Sequence, residues 1–384
     1  MSIYLDNAST SFPKPKEVLD SINNFMINLG GNSGRGSSSS SLKSSHVTYN
    51  CREAIAQFFN FNKSENVIFT NNITSSLNIL LNSIVQEGWH VITSTMEHNS
   101  VLRPLFKLKE ERNIELTVVQ ADNNGFVAAA DIDSAIKDNT KLVILSQASN
   151  VTGNIQPLKE IGELCRKKSI YFIIDTAQSA GSINVDFKEL NCNALAFTGH
   201  KGLLGPQGIG GFIIDDDLND IAKPVFVGGT GSMSYSLVQP DFLPDKFESG
   251  TLNTPGIAGL YSAINYINKE TINAIHTKEM YLSRLLLDDL NNMDYVTLYG
   301  PNTTINRLST FSINLNDMNS NEFSYYLDSK YNIITRTGLH CAPLTHKTIG
   351  TENMGTVRIS IGYFNTVEDI KSLIDAIYHI HKGV

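Results

Sequence analysis

Short, continuously apolar runs recur through residues 66–198 and constrain the fold more than any other feature. They read NVIFT (66–70), HVITS (90–94), ELTVVQ (115–120), KLVILS (141–146), YFIID (171–175) and ALAFT (194–198). Strands with one wet face would alternate polar and apolar residues; these do not, so both faces must be covered. Helical patterns such as SSLNILLNSIVQ and LKEIGELCRKK separate several of them. An earlier helix is expected in PKPKEVLDSINNFMINLGG, with prolines at its start, Val18, Ile22, Phe25, Met26 and Leu29 in apolar positions, and a glycine stop. The pattern predicts an α/β fold around a mainly parallel sheet. After residue 260 one long helical pattern leads to strand-like RLSTFSINL and GTVRISI. A last helix opens at Thr366 and Asp369 with Val367, Ile370, Ile374 and Ile377 on one face. That part reads as a smaller α+β domain. For 384 residues two domains are expected: a large one over 15–258, and a small one built from 1–14 and 259–384. The serine-rich GRGSSSSSLKSS (34–45) is expected to be a loop.

A content of 41% hydrophobic and 18% charged residues is that of a globular protein, and the net charge of −8 argues against nucleic acid or an anionic membrane as the main partner. Cys51, Cys165, Cys192 and Cys341 lie far apart without a CxxC pair, which excludes a disulfide framework or zinc ribbon. The start, MSIYLDNAST, carries an acid and no basic-then-apolar run, and no stretch approaches a membrane span. A reducing cytoplasm is expected.

In open α/β sheets ligands bind where strands end. Thr74 and Ser75 follow the first run and open a helix; His98 follows the second. Asn150 follows the fourth, Asp175 ends the fifth with Gln178 close behind, and Thr198, Gly199, His200 and Lys201 follow the sixth. A helix start suits a phosphate, and Thr198 and His200 could add donors. A carboxylate ending an apolar strand is costly unless it meets a cation such as a protonated pyridine nitrogen. Lys201, in a glycine-rich loop, could bond an aldehyde. Together these describe a pyridoxal 5'-phosphate site. Singly, each residue has a plainer use: Asp175 as a helix cap, Lys201 as a solvated lysine, His98 as a structural hydrogen-bonder. GPQGIGG (205–211) has neither the P-loop spacing nor a downstream acidic partner for a dinucleotide loop.

The stretches YLDNASTSFPKP, MEHNSV, SNVTGNIQP, IDTAQSAG, FTGHKGLLGPQGIGGF, FESGTLNTPGI, RTGLHCAP and GTVRISIGYFNT resemble the class V aminotransferase group, fold-type I pyridoxal phosphate enzymes. Within it they resemble the cysteine desulfurases and selenocysteine lyases, the short loop at Cys341 being similar to that of the group II desulfurases. The resemblance implies a seven-stranded-type large domain and a small domain carrying the cysteine. It implies Lys201 as the lysine joined to the cofactor aldehyde, Asp175 on the ring nitrogen, Gln178 on the ring hydroxyl and His98 on the ring face. Thr74, Ser75, Thr198 and His200 would take the phosphate, and Thr251 would reach the phosphate of a second subunit in a homodimer. Asn150 and Arg358 would face the substrate L-cysteine; for Arg358 a salt bridge between domains is the competing role. Cys341 would accept the sulfur as a persulfide and pass it to a protein acceptor. Two positions depart from the group II pattern, Ser38 and Leu339 standing where histidines are usual.

In TRTGLHCAPLTH, His340 adjoins Cys341, but neighbours in an extended segment point to opposite sides. Adjacency therefore does not make His340 the base for the thiol. A metal site would need standard ligand spacing and a protease would need oxyanion donors, and neither shows. Other readings of the same chain are a selenocysteine lyase, a class V aminotransferase or epimerase that does not use Cys341, and a non-catalytic sulfur-relay scaffold.

Overall fold

The computed structural model describes residues 2–33 and 38–383. Its strands, in chain order, are β1 (Ile3–Tyr4), β2 (Val67–Thr70), β3 (His90–Ser94), β4 (Glu115–Val119), β5 (Thr140–Ser146), β6 (Tyr171–Asp175), β7 (Ala194–Thr198), β8 (Gly210–Ile214), β9 (Val296–Tyr299), β10 (Thr310–Leu315), β11 (Ile333–Ile334), β12 (Arg336–Gly338) and β13 (Thr356–Ser360). A seven-stranded sheet takes the order β2-β8-β7-β6-β5-β3-β4. Neighbours from β4 to β7 pair in parallel, and β8 lies antiparallel between β2 and β7. The carboxyl ends of β2, β3, β5, β6 and β7 therefore share one edge.

The apolar runs other than the edge strand β4, which is only partly buried, form strands with both faces buried. Ile92, Val143, Ile174, Leu195 and Ile213 join the core on one face, while Val91, Leu142, Ile173, Ala194 and Phe212 join the core on the other. Neighbours along each strand thus point to opposite layers, each apolar side chain contributing roughly 1.5–3 kcal/mol by leaving water.

All the expected strands are present; β1, β9, β11 and β12 are additions outside the large sheet, and β8 is an addition within it. It hides in GPQGIGGF because its glycines read as loop. They are there for close approach: a Cβ on Gly211 would sit 2.3 Å from the Ile68 carbonyl oxygen. The serine-rich expectation is corrected from 38 onward. Ser38 caps a helix over Ser39–Phe58, accepting a bond from the Ser41 N–H. Ser41, Ser44 and Thr48 are buried in it, and the helix lies against Thr254–Glu270. Residues 34–37 of that stretch lie outside the described residues. The long helical pattern after 260 is two helices, Thr254–Glu270 and Ile272–Leu290. Thr271 breaks it with φ 69°, and its hydroxyl caps the second helix at the Ala274 N–H.

Strands β12-β13-β10-β9 form a separate antiparallel sheet, and β1 pairs in parallel with β11. A third core gathers Leu5, Leu286, Phe311, Phe323, Val357 and Ile377 beneath them. The last helix, Val367–Lys382, begins with the Thr366–Asp369 capping box. Ile257, Leu260, Ile264 and Ile267 of Thr254–Glu270 instead pack into the large core.

Two glycines set the depth of the site. A Cβ on Gly181 (φ +88°) would lie 2.2 Å from the Gly202 carbonyl oxygen, and one on Gly202 would lie 2.5 Å from the Ala180 carbonyl oxygen. The loop after Asp175 and the loop bearing Lys201 thus touch backbone to backbone. Gly181→Ala should cost about 2–4 kcal/mol, combining overpacking with left-handed strain. Gly88→Ala, at φ +75° with nothing within 4 Å, should cost only about 1 kcal/mol from the strain. Urea midpoints measure both; equal losses would refute the close-approach argument.

Candidate active site

A cavity of about 310 Å³ opens at the shared strand edge. Its lining includes Thr74, His98, Asn150, Asp175, Gln178, Thr198, His200 and Lys201. Each reaches it from a strand end or the turn after one, so the parallel topology alone collects them.

One end of the cavity suits an anion. The helix Ile73–Ile84 points its start here, capped by Asn72. Thr198 Oγ1 and His200 Nδ1 are buried without a hydrogen-bond partner in the protein, a costly state that an oxyanion would relieve. The other end suits a cation. Asp175 is only 4% exposed and accepts one bond, from the Ala177 N–H at 2.8 Å. Burial raises its pKa, opposed by that bond and by the charge of Lys201. Burial pulls the Lys201 amine down to about 8, with Asp175 resisting and Arg358 and Arg336 assisting. His98 accepts the Ser100 N–H on Nδ1 at 3.0 Å, so its proton sits on Nε2. Burial and the nearby cation Lys201 lower it to about 4, which leaves a neutral, flat ring at neutral pH. Gln178 donates one amide hydrogen to the Ala8 carbonyl at 3.2 Å and keeps its amide oxygen for a ligand.

The N-terminal segment closes over the lysine loop. The His200 carbonyl accepts from the Ser11 N–H at 2.9 Å, Thr10 Oγ1 at 3.1 Å and Lys14 Nζ at 2.8 Å. Ser11 Oγ donates to the Lys201 carbonyl at 2.9 Å. The same segment holds Arg358, which is 1% exposed. Its guanidinium bonds Asp6 Oδ1 and Ser9 Oγ, each at 2.7 Å, and the Asn150 carbonyl at 3.1 Å. Arg336 stands directly opposite Arg358 across β12 and β13, donates to Ser9 Oγ at 3.1 Å and lies 3.8 Å from Cys341 Sγ. Facing like charges are unfavourable, and Asp6 is paired with Arg358. The excess positive charge here suits an anionic substrate or thiolate.

Cys341 sits on a strained turn. His340 (φ 49°) and Cys341 (φ 58°) are both left-handed, at roughly 1–2 kcal/mol each for non-glycine residues. Two bonds to the large sheet's loops hold the turn. Asn150 Nδ2 donates to the His340 carbonyl at 2.7 Å and the Asn99 N–H donates to the Cys341 carbonyl at 2.8 Å. Asn99 follows His98, so the thiol turn and the cavity's imidazole share one anchor. Cys341 is exposed, whereas Cys51, Cys165 and Cys192 are buried and burial raises their thiol pKa values. His340 turns inward, away from the thiol, toward His346 and the Arg336 carbonyl.

Four sequence candidates stand apart from the lining: Arg358 and Cys341, which are bonded to its rim, and Ser75 and Thr251. Ser75 spends its backbone N–H on Asn72 Oδ1 at 3.0 Å, with its hydroxyl 3.3 Å from the same atom. Thr251 is exposed, beside Asn32. Asp6, Ser9, Asn99 and Arg336 were not singled out from sequence. The stretch YLDNAST carried the resemblance without a role for its side chains, and Arg336 lay five residues before the cysteine. Leu339, 40% exposed, borders the Cys341 turn.

The model of the family "Aminotransferase class-V" matches residues 3–373. A probable cysteine desulfurase of Methanothermobacter thermautotrophicus is 34% identical over 383 residues, spanning 98% of this chain and 94% of that one. The apo structure of a cysteine desulfurase from Thermococcus onnurineus is 30% identical, with TM-score 0.95 over 100% of this chain and 95% of that one. A cysteine desulfurase structure from Escherichia coli, 24% identical with TM-score 0.89 over 100% and 95% of the two chains, shares the fold. Enzymes of this family depend on pyridoxal 5'-phosphate. The unpartnered Thr198 and His200 atoms, the helix start and the buried Asp175 fit that cofactor. The chain belongs to the class V aminotransferase family, on the fold-type I pyridoxal phosphate scaffold.

Proposed function

We propose that this chain is a pyridoxal phosphate-dependent cysteine desulfurase, converting L-cysteine to L-alanine and carrying the sulfur as a persulfide on Cys341. One observation carries the reading: the exposed, strained Cys341 turn is bonded through Asn99 and Asn150 to the rim that bears His98. A cysteine with no part in the cavity's chemistry has no need of that anchorage.

Thr74, Thr198 and His200 would hold the cofactor's phosphate, with Ser75 completing the helix start. Asp175 would hold its ring nitrogen, Gln178 its ring hydroxyl, His98 its face, and Lys201 its aldehyde carbon. When bound, the cofactor supplies an electron sink for charge left on the substrate Cα. Arg358, steadied by Asp6 and Ser9, binds the substrate carboxylate with Asn150, and Arg336 adds a second positive charge. Lys201 takes the Cα proton; a pKa near 8 suits proton transfer near neutral pH. Cys341 Sγ, as thiolate, attacks the substrate sulfur. The sulfur–sulfur bond forms as the Cβ–sulfur bond breaks, and the electron pair stays on Cβ, which takes a proton to become the methyl of alanine. The persulfide then passes to a protein acceptor.

The proposal extends to a homodimer, in which Thr251 meets the partner subunit's phosphate. The supporting observation is the apolar segment beside it. Phe226, Val227, Tyr235 and Val238 are 62%, 69%, 85% and 76% exposed, and Gly250 bonds back to Gly229. We also propose the division into a large domain of 15–258 and a small one of 1–14 and 259–384 that carries the cysteine, with Thr254–Glu270 as the joining helix. A reducing, cytoplasmic setting is supported by four free thiols. Among the described residues no helix is long and apolar enough to cross a membrane.

Cys341→Ala should abolish sulfide release from L-cysteine while the cofactor's visible absorbance stays; full sulfide release by the variant would sink the assignment. The Lys201 amine must be neutral to bond the aldehyde, and its neutral fraction grows as pH rises through about 8. Capture of added cofactor by apo-protein should therefore speed up to about pH 8 and then level off. Continued acceleration toward pH 10.5, the ordinary lysine value, would contradict this, and Lys201→Ala should capture none covalently. Light scattering should give twice the chain mass, and Tyr235→Asp should lower it; a monomeric wild type at micromolar concentration would overturn the dimer.

A further inference from the structure

The histidines around Cys341 form a chain whose protons are all fixed by one carbonyl. His340 Nε2 lies 3.3 Å from the Arg336 carbonyl oxygen, and its Nδ1 lies 3.2 Å from His346 Nε2. His346 Nδ1 lies 2.7 Å from Thr351 Oγ1. The three side chains are 3%, 0% and 1% exposed.

A carbonyl oxygen only accepts, so His340 must donate from Nε2. Burial keeps both rings neutral, lowering His340 to about 2 and His346 to about 4. A neutral imidazole has a single N–H, so His340 Nδ1 accepts and His346 must donate from Nε2. His346 Nδ1 then accepts from the Thr351 hydroxyl. The hydroxyl's other acceptor, the His346 carbonyl, lies at 3.5 Å and already takes the Thr351 N–H at 2.8 Å, so the 2.7 Å contact to Nδ1 is the stronger one. Both nitrogens of His340 are committed, and neither serves the thiol.

The chain ends on the two things that matter to Cys341. His340 is the first residue of the left-handed pair that presents the thiol, and Arg336 is the residue whose guanidinium lies 3.8 Å from Sγ. We propose that His346 and Thr351 are positioning residues for Cys341: they lock His340 in one tautomer and so fix both the turn and the peptide of Arg336. This rests on Cys341 being the sulfur acceptor.

The test uses the full-length, cofactor-loaded protein. His346→Leu removes the donor to His340 and should lower kcat for alanine formation by about tenfold to a hundredfold, the scale of an ångström's misplacement. KM for L-cysteine and the cofactor's visible absorbance should stay unchanged. His346→Gln puts an amide N–H where Nε2 was and should recover most of the lost rate. Thr351→Val, isosteric and without the hydroxyl, should show a smaller loss of the same kind. Nitrogen-15 spectra of histidine-labelled wild type should show both rings protonated on Nε2 alone, a readout independent of how the variants fold. A His346→Leu protein with wild-type kcat, a His346→Gln protein no better than His346→Leu, or a proton on Nδ1 of either ring would overturn the proposal. If Cys341→Ala is inactive while His346→Leu is unimpaired, only the positioning role fails. If Cys341→Ala stays active, the desulfurase reading fails first.

Discussion

A carboxylate buried at the end of a parallel strand is the constraint around which the site is arranged. Asp175 is 4% exposed and has one backbone donor and a lysine nearby. Left alone it would be drawn toward its neutral form, because burial disfavours charge. The same burial draws Lys201 toward its neutral amine. The site therefore brings together a carboxyl and an amine that burial draws toward their neutral forms. A cationic ring nitrogen offers Asp175 the partner that the protein does not, while the neutral amine is the form that can bond an aldehyde. The contact of Gly181 with Gly202 and the clasp of residues 10–14 on the His200 carbonyl keep the two groups at that depth.

The smaller part of the chain contributes what the sheet edge lacks, namely two guanidiniums and a thiol. Most of its bonds to the cavity rim use main-chain atoms: the Asn150, His340 and Cys341 carbonyls and the Asn99 N–H. The Asn99–Cys341 bond joins backbone to backbone, while the Asn150 amide and the Arg358 guanidinium add side-chain donors, so main chain and side chains together place the thiol. The histidine chain beneath the turn extends this logic. One carbonyl that can only accept sets every proton in the chain, and a strained pair of left-handed residues is held where a nucleophile is needed.

Much of this was legible in the sequence, for physical reasons that differ by element. Strands β2, β3, β5, β6 and β7 stand out because burial on both faces forces continuous apolar runs, whereas β4, at the sheet edge, is only partly buried. β8 does not, because its glycines serve backbone approach and mimic a loop. The serine-rich helix is illegible for a related reason: Ser41 and Ser44 are buried in a packed helix rather than solvated in a loop. Cavity residues at strand ends were readable from topology alone. Asp6 with Arg358 and Arg336 facing Arg358 were not, since those contacts join distant segments or depend on register, and periodicity carries no trace of either. Thr251 and Ser75 show the converse, residues marked by motif that stand outside the lining of a single chain.

The central claim is that the substrate's sulfur moves to Cys341. Mass analysis of the Cys341 peptide after a single turnover with L-cysteine, before any acceptor or reductant is added, tests it most directly. One added sulfur atom on Cys341 is expected for each alanine formed, with Cys51, Cys165 and Cys192 unmodified. Stoichiometric alanine with an unmodified Cys341 would contradict it.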